Sequence, residues 1–199
     1  MTTETRILAI DNRDSFVHLL ADEFRSRACV VDVYRSNWPL DEALSFIDSE
    51  QPDLLLLSPG PGCPADAVLC MDLLREAPRS LPVFGVCLGH QCIVEHFGGV
   101  VGRSPEIMHG KPALVEHSKT GLMKNLESPM QVGRYHSLVA KSVPDTLAVD
   151  AECDGLVMAV HHSSRPVWGL QFHPESILTL AGGRVIDNLL SELERCNAR

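Results

Sequence analysis

Cys87 stands where an apolar run ends and a helical pattern begins, in Gly85-Val86-Cys87-Leu88-Gly89. A sharp strand-to-helix turn forces its apex residue into tight backbone geometry, and glycines on both sides remove the side chains that would collide there. The thiol would lie beside the first N–H groups of the helix, whose partial positive charge favours a thiolate. Such a thiolate attacks a carbonyl carbon, with the Leu88 amide on the side where negative charge grows on oxygen. The bland alternative is a small buried hydrophobe, the usual fate of cysteine. Cys92, well inside the same helix, has only that reading.

A cysteine nucleophile requires a base, and nine histidines are available. His90 follows Cys87 by three residues on the same helix and reads as packing or capping. His173 ends an apolar run, precedes Pro174, and has an acid at Glu175. In an extended segment residues two apart share a side, so Glu175 is expected to reach the ring nitrogen turned away from sulfur and set the tautomer. Spacing alone leaves this pair one among several. A second donor comes from Ser58-Pro59-Gly60-Pro61-Gly62, which follows Leu54-Leu55-Leu56-Leu57. The prolines delete N–H groups, leaving Gly60 and Gly62 to supply free amides; the alternative is a plain tight turn.

Two other chemistries are disfavoured. The glycine loop has neither G-x-G-x-x-G nor a terminal Gly-Lys-Ser/Thr, so it is no phosphate loop. His161-His162 with Cys153 is the densest group of potential metal ligands, yet adjacent strand residues face opposite sides and no H-E-x-x-H occurs. No metal is expected.

The elements that must position these groups follow from the apolar pattern. Strands are expected at residues 6–10, 29–34, 54–57 and 82–86, and helices at 16–24, 39–47, 67–75 and from Cys87 to near Gly98-Gly99. Asp14 or Ser15 caps the first helix. After Gly99 short strands take over, at 113–117, 147–149 and 156–160. A core strand at 167–172 runs into His173, and a closing helix covers 185–193. The expected fold is α/β: a central, mainly parallel sheet flanked by helices, with a small additional antiparallel sheet, in one domain spanning residues 1–199.

The totals bound the function. A chain of 199 residues with 45% hydrophobic content buries a substantial core, and its formal net charge of -9 offers no broad basic surface to nucleic acid. Seven cysteines without a C-x-x-C pair read as thiols in a reducing compartment. With no signal-like N-terminus and no apolar run of membrane-spanning length, the chain is expected in the cytoplasm, away from membranes.

Gly-Val-Cys-Leu-Gly-His-Gln at 85–91, Ser-Pro-Gly-Pro-Gly at 58–62 and Gln-Phe-His-Pro-Glu-Ser at 171–176 together resemble the class I, or triad-type, glutamine amidotransferases. That family has a flavodoxin-like fold. Finer matches are Asp11-Asn12 with Asp14-Ser15-Phe16, Met108-His109-Gly110-Lys111, Arg134-Tyr135-His136-Ser137-Leu138 and Ile177-Leu178-Thr179. These are similar to the small subunit of anthranilate synthase and its relative in aminodeoxychorismate synthase. The motifs span residue 7 to about residue 180, nearly the whole chain.

The resemblance implies a division of roles. Cys87 is the nucleophile, His173 the base and Glu175 the orienting acid; backbone amides of Gly60 and Leu88 form the oxyanion hole. Gly60, Pro61, Gly62, Gln91, Ser137 and Leu138 hold the glutamine. The expected function is the glutaminase half of anthranilate synthase, passing ammonia to a chorismate-utilising large subunit in a heterodimer or heterotetramer. No cofactor belongs to this chain, and Mg2+ is expected on the large subunit. Aminodeoxychorismate synthase, or a phenazine-type secondary-metabolite synthase, is the alternative partner, and a non-catalytic regulatory subunit is the alternative of a different class. Departures are Arg13, the Phe16-Val17-His18 run, Cys92 and His161-His162-Ser163-Ser164; the three triad residues are themselves in place, and the first three departures bear on the partner surface or on which synthase is served.

Overall fold

The computed structural model describes residues 4–105 and 110–197. Of the Met108-His109-Gly110-Lys111 match, Met108 and His109 lie outside the described residues. In chain order the elements are β1 (Arg6–Asp11), α1 (Phe16–Arg25), β2 (Val30–Arg35), α2 (Leu40–Glu50), β3 (Leu54–Leu57), α3 (Val68–Glu76), β4 (Val83–Val86) and α4 (Leu88–His96). Then come β5 (Val100–Arg103), β6 (Lys111–His117), β7 (Met130–Arg134), β8 (Leu138–Ser142), β9 (Leu147–Cys153), β10 (Leu156–His162), β11 (Val167–Leu170) and α5 (Gly182–Asn197).

The strand order in the large sheet is β2-β1-β3-β4-β11-β10-β9-β6-β7. From β2 to β11 every pairing is parallel. From β11 through β10, β9 and β6 to β7 every pairing is antiparallel. β5 and β8 form a separate antiparallel pair. The expected α/β fold, with a parallel central sheet and a small antiparallel one, is therefore present. The antiparallel strands after Gly99 also extend the main sheet beyond the parallel half, and β5, β7 and β8 were not among the expected strands.

Uniformly apolar strands become central because both faces are covered. β3 and β4 are buried at every position. On one side, Phe24 of α1 and Val185, Leu189 and Leu193 of α5 join Ile7, Leu54, Leu56 and Phe84. On the other, Ala43 and Ile47 of α2, Leu73 of α3 and Ile93 of α4 join Leu8, Leu55 and Leu57. Each wholly buried leucine contributes about 1.5–3 kcal/mol of transfer free energy, so the run at 54–57 anchors the frame. Asp14 caps α1 by accepting from the Phe16 N–H at 2.8 Å. Ser15 occupies the N-cap position without a side-chain bond. No helix among the described residues is long and apolar enough to cross a membrane.

Candidate active site

Cys87 sits between β4 and α4 with φ 53° and ψ -100°, a backbone conformation that a non-glycine residue rarely adopts. The fold holds it there from two directions. Its N–H donates to the Leu170 carbonyl at 2.7 Å, and its own carbonyl accepts from the Gln91 N–H at 3.1 Å, the first turn of α4. The flanking glycines are sterically required. A β-carbon at Gly85 would come within 2.5 Å of the Gly89 backbone, and one at Gly89 within 2.2 Å of the Leu57 carbonyl oxygen. Helix α4 thus starts pressed against the end of β3, with its first amides, Leu88 among them, pointing out of the elbow where no turn precedes them.

The glycine loop closes one side. A β-carbon at Gly60 would lie 2.8 Å from Leu88 Cδ2 and 2.5 Å from Asn12 Cβ, so the backbone at 60 is drawn onto the elbow. Asn12 helps to shape this loop, donating from Nδ2 to the Ser58 carbonyl at 3.0 Å and from its backbone N–H to Ser58 Oγ at 2.9 Å.

β11 lies beside β4 in parallel register, Gly169 opposite Gly85 and Leu170 opposite Val86, so the chain leaving β11 passes the elbow. His173 Nδ1 is 2.6 Å from Glu175 Oε1, with the two side chains 2% and 0% exposed. The local geometry corrects the extended-strand expectation. β11 ends at Leu170, and the Ser176 N–H reaches back to the His173 carbonyl at 3.3 Å, so residues 173–176 turn. The pair meets across this turn. His173 is held on its other side by an antiparallel bridge to Gly133. Thr179 Oγ1 ties the two backbones together, donating to the His173 carbonyl at 2.5 Å and accepting from the Gly133 N–H at 2.9 Å.

Two aromatic rings cage the imidazole. Phe16 and Tyr135 meet it edge-on at centroid distances of 5.3 and 5.0 Å, and Tyr135 Oη is 3.1 Å from Ser176 Oγ. Burial opposes a positive charge on His173, but its interactions with the Cys87 sulfur and the Glu175 carboxylate outweigh burial and raise its pKa. Nε2, the ring nitrogen turned away from Glu175, has no protein hydrogen-bond partner among the described residues. His90 contrasts with it. It is wholly buried behind β11, and desolvation lowers it to about 3, so it stays neutral as the packing reading supposed.

Cys87 opens into a cleft of about 140 Å³ lined by Gly60, Pro61, Gly62, Gln91, Tyr135, His136, Ser137 and Leu138. Every residue expected from the motifs to hold a small amide substrate is on this wall. Tyr135 and His136 were not assigned a role from the sequence, nor was Phe16 as a wall of the histidine cage. His161 lies apart from the cleft, its Nδ1 2.7 Å from Asp150 Oδ2.

A thiol at a strand-to-helix elbow, backed by a buried imidazole and carboxylate and opening on a narrow polar cleft, has the layout of a thiol-dependent hydrolase on an α/β sheet. The glutamine amidotransferase class-I family model matches residues 8–193. Anthranilate synthase component 2 of Vibrio parahaemolyticus is 45% identical over 193 residues, 96% of this chain and 98% of that protein. The same component from Methanocaldococcus jannaschii is 44% identical over 176 residues, 87% of this chain and 86% of its own. In fold, the chain superposes with a TM-score of 0.88 and 21% identity on a Thermoplasma acidophilum protein provisionally assigned to GMP synthase, covering 100% of this chain and 98% of that one. The chain belongs to the class-I glutamine amidotransferase family and is a glutaminase, an enzyme that takes ammonia from the side chain of glutamine.

Proposed function

We propose that this chain is the ammonia-supplying subunit of a chorismate-utilising synthase, anthranilate synthase above all, with Cys87 as nucleophile, His173 as acid and base, and Glu175 as the orienting carboxylate. The observation that carries the reading is the strained Cys87 elbow opening on the cleft, with the buried His173, paired to Glu175, interacting with its sulfur. In the first half-reaction the Cys87 thiolate adds to the side-chain amide carbon of glutamine. The Gly60 and Leu88 amides receive the oxyanion, and the intermediate collapses as His173 delivers a proton to the departing ammonia. In the second, His173 takes a proton from water, which attacks the γ-glutamyl thioester and releases glutamate and the thiolate.

Glutamine is held by Gln91, Ser137, Leu138 and the loop from Gly60 through Pro61 to Gly62. Ammonia passes to the large subunit, which carries the chorismate and Mg2+ sites, in a cytoplasmic heterodimer or heterotetramer. Free ammonium at neutral pH is a poor nucleophile, so direct transfer serves the partner better than release. Co-purification with the native partner, followed by assay with chorismate and glutamine, identifies the product: anthranilate supports this reading, aminodeoxychorismate the alternative. Cys87→Ala should abolish glutamine-dependent synthesis and spare synthesis from added ammonium salt. Equal glutamine-dependent rates for that variant and the wild type would overturn the mechanism.

A further inference from the structure

Gln171 is wholly buried between Leu170 and Phe172, and its Nε2 lies 3.8 Å from the Cys87 sulfur. A side-chain amide has a donor end and an acceptor end, so which end meets the sulfur decides what the contact does. That choice is set at the Leu138 carbonyl, which Gln91 shares with His136, a neighbour of the buried Arg134.

A guanidinium offers only donors. Arg134 Nε, 3.1 Å from His136 Nε2, therefore makes that ring nitrogen an acceptor and leaves the proton of a neutral imidazole on Nδ1. His136 Nδ1–H then donates to the Leu138 carbonyl at 3.0 Å. Burial, reinforced by the Arg134 charge, lowers His136 to about 4, so this tautomer holds at neutral pH. The same carbonyl, which can only accept, is 3.2 Å from the Gln91 side chain, and so must face its NH2 end. The second N–H of that group reaches Gln171 Oε1 at 3.2 Å. With its oxygen committed to Gln91, Gln171 presents its NH2 end to sulfur.

We infer that Gln171 is a hydrogen-bond donor to the nucleophilic sulfur, its orientation imposed by the Leu138 carbonyl through Gln91. The inference rests on the reading of Cys87 as nucleophile. A donor at sulfur favours the thiolate before attack, and it favours the departing thiolate when water hydrolyses the thioester. Gln91, His136 and Leu138 also line the cleft, so substrate that engages this wall touches the same contacts that orient the nucleophile. Gln91 is the positioning residue in this scheme. The titratable group facing the sulfur is His173; Gln171 itself carries no titrating proton.

The test is alkylation of the full chain by iodoacetamide across pH, followed on the Cys87 peptide by mass spectrometry, beside glutaminase kinetics of the complex. Burial raises the pKa of Cys70 and Cys92, which keeps them from competing. Gln171→Met keeps much of the shape without the donor. It should slow alkylation at neutral pH by roughly three- to ten-fold, the scale of one ordinary net hydrogen bond, as suits a long contact to sulfur. The alkylation profile should move to higher pH, and kcat should fall comparably with KM little changed. Should that variant fail to fold, Gln171→Glu retains the acceptor for Gln91 while setting a carboxylate against the sulfur, and the loss should be larger. A wild-type alkylation profile in either folded variant, or a loss confined to KM, would overturn the inference. Activity surviving Cys87→Ala would instead overturn the nucleophile assignment, whereas an inactive Cys87→Ala beside a fully normal Gln171→Met removes only the donor.

Discussion

His173 Nδ1 and Glu175 Oε1 meet at 2.6 Å across a turn, with the carboxylate fully buried and its second oxygen without a protein partner. A buried carboxylate is costly unless a positive group faces it, so the contact favours the imidazolium that forms when the ring takes a proton. In Glu175→Gln the volume is kept and the amide oxygen still accepts from the ring, but the charge is gone. The expected result is a fall in glutaminase kcat of up to about 10⁴, the drop seen when the acid of such a set is neutralised, with KM changed only a few-fold. Steady-state kinetics of the complex would refute the electrostatic role if kcat stayed within a factor of two of wild type.

The elbow makes a stability prediction. Gly89→Ala puts a β-carbon 2.2 Å from the Leu57 carbonyl oxygen, a backbone atom that cannot swing away. Either β3 or the start of α4 must move, at a cost of about 2–4 kcal/mol, and Cys87 moves with them. Urea unfolding should show the lower midpoint, and the folded variant should have lost most of its glutaminase activity. A variant as stable and as active as wild type would show that the elbow tolerates a side chain there.

Thr179 clasps the base from behind through two backbone bonds. Thr179→Val removes both, leaving the Gly133 N–H without its acceptor and the His173 carbonyl with only the longer bond from the Ser176 N–H. The expected loss is about 1–3 kcal/mol of stability, accompanied by reduced kcat as His173 loosens. Denaturation and kinetics on the same preparation would decide it, since unchanged stability would mean the groups find other partners.

Acid should weaken the fold more than the carboxylates alone require. His90 and His136 are lowered to about 3 and about 4 in the folded chain, mainly by burial. In the unfolded chain they titrate near 6.5, so between that value and the folded pKa the unfolded state binds more protons. Their contribution is therefore present above about pH 6.5 and lost as pH falls. From pH 7 to pH 5 each should remove about 2 kcal/mol. His173, raised in the folded state, works in the other sense: its contribution is complete below the unfolded pKa and fades only as pH climbs. The net expectation is a lower unfolding free energy at pH 5, of order 3 kcal/mol. Equal urea midpoints at the two pH values would contradict neutral burial of both rings.

What could be read in advance depended on whether a residue's job leaves a local pattern. Leu54-Leu55-Leu56-Leu57 and Pro82-Val83-Phe84-Gly85-Val86 are apolar throughout because both faces are covered, and the elbow glycines announce a close backbone approach. β7 left no such mark. Its Met130-Gln131-Val132-Gly133-Arg134 mixes a glycine with a charged residue, although Arg134 is among the most buried side chains. The His173 and Glu175 pair was expected from an extended strand and is formed by a turn, because Thr179 and the bridge to Gly133 bend the chain. The Phe16 and Tyr135 cage joins residues far apart in sequence, which no local periodicity encodes. Gln171 did carry a signal: a lone amide inside an apolar run that is meant to be core needs a partner there.

The parallel register of β4 and β11 has a wider consequence. The Cys87 sulfur and the His173 ring emerge from adjacent strands, fastened by the Cys87 N–H to Leu170 carbonyl bond, whereas part of the cleft wall comes from residues 135–138, between β7 and the start of β8. The cleft wall is thus divided: Gly60, Pro61, Gly62 and Gln91 belong to the same parallel half as the sulfur, and Gly60 is packed onto Leu88 of the elbow, while residues 135–138 enter from beyond it. Only that second portion can change its shape without disturbing the backbone that holds the thiol.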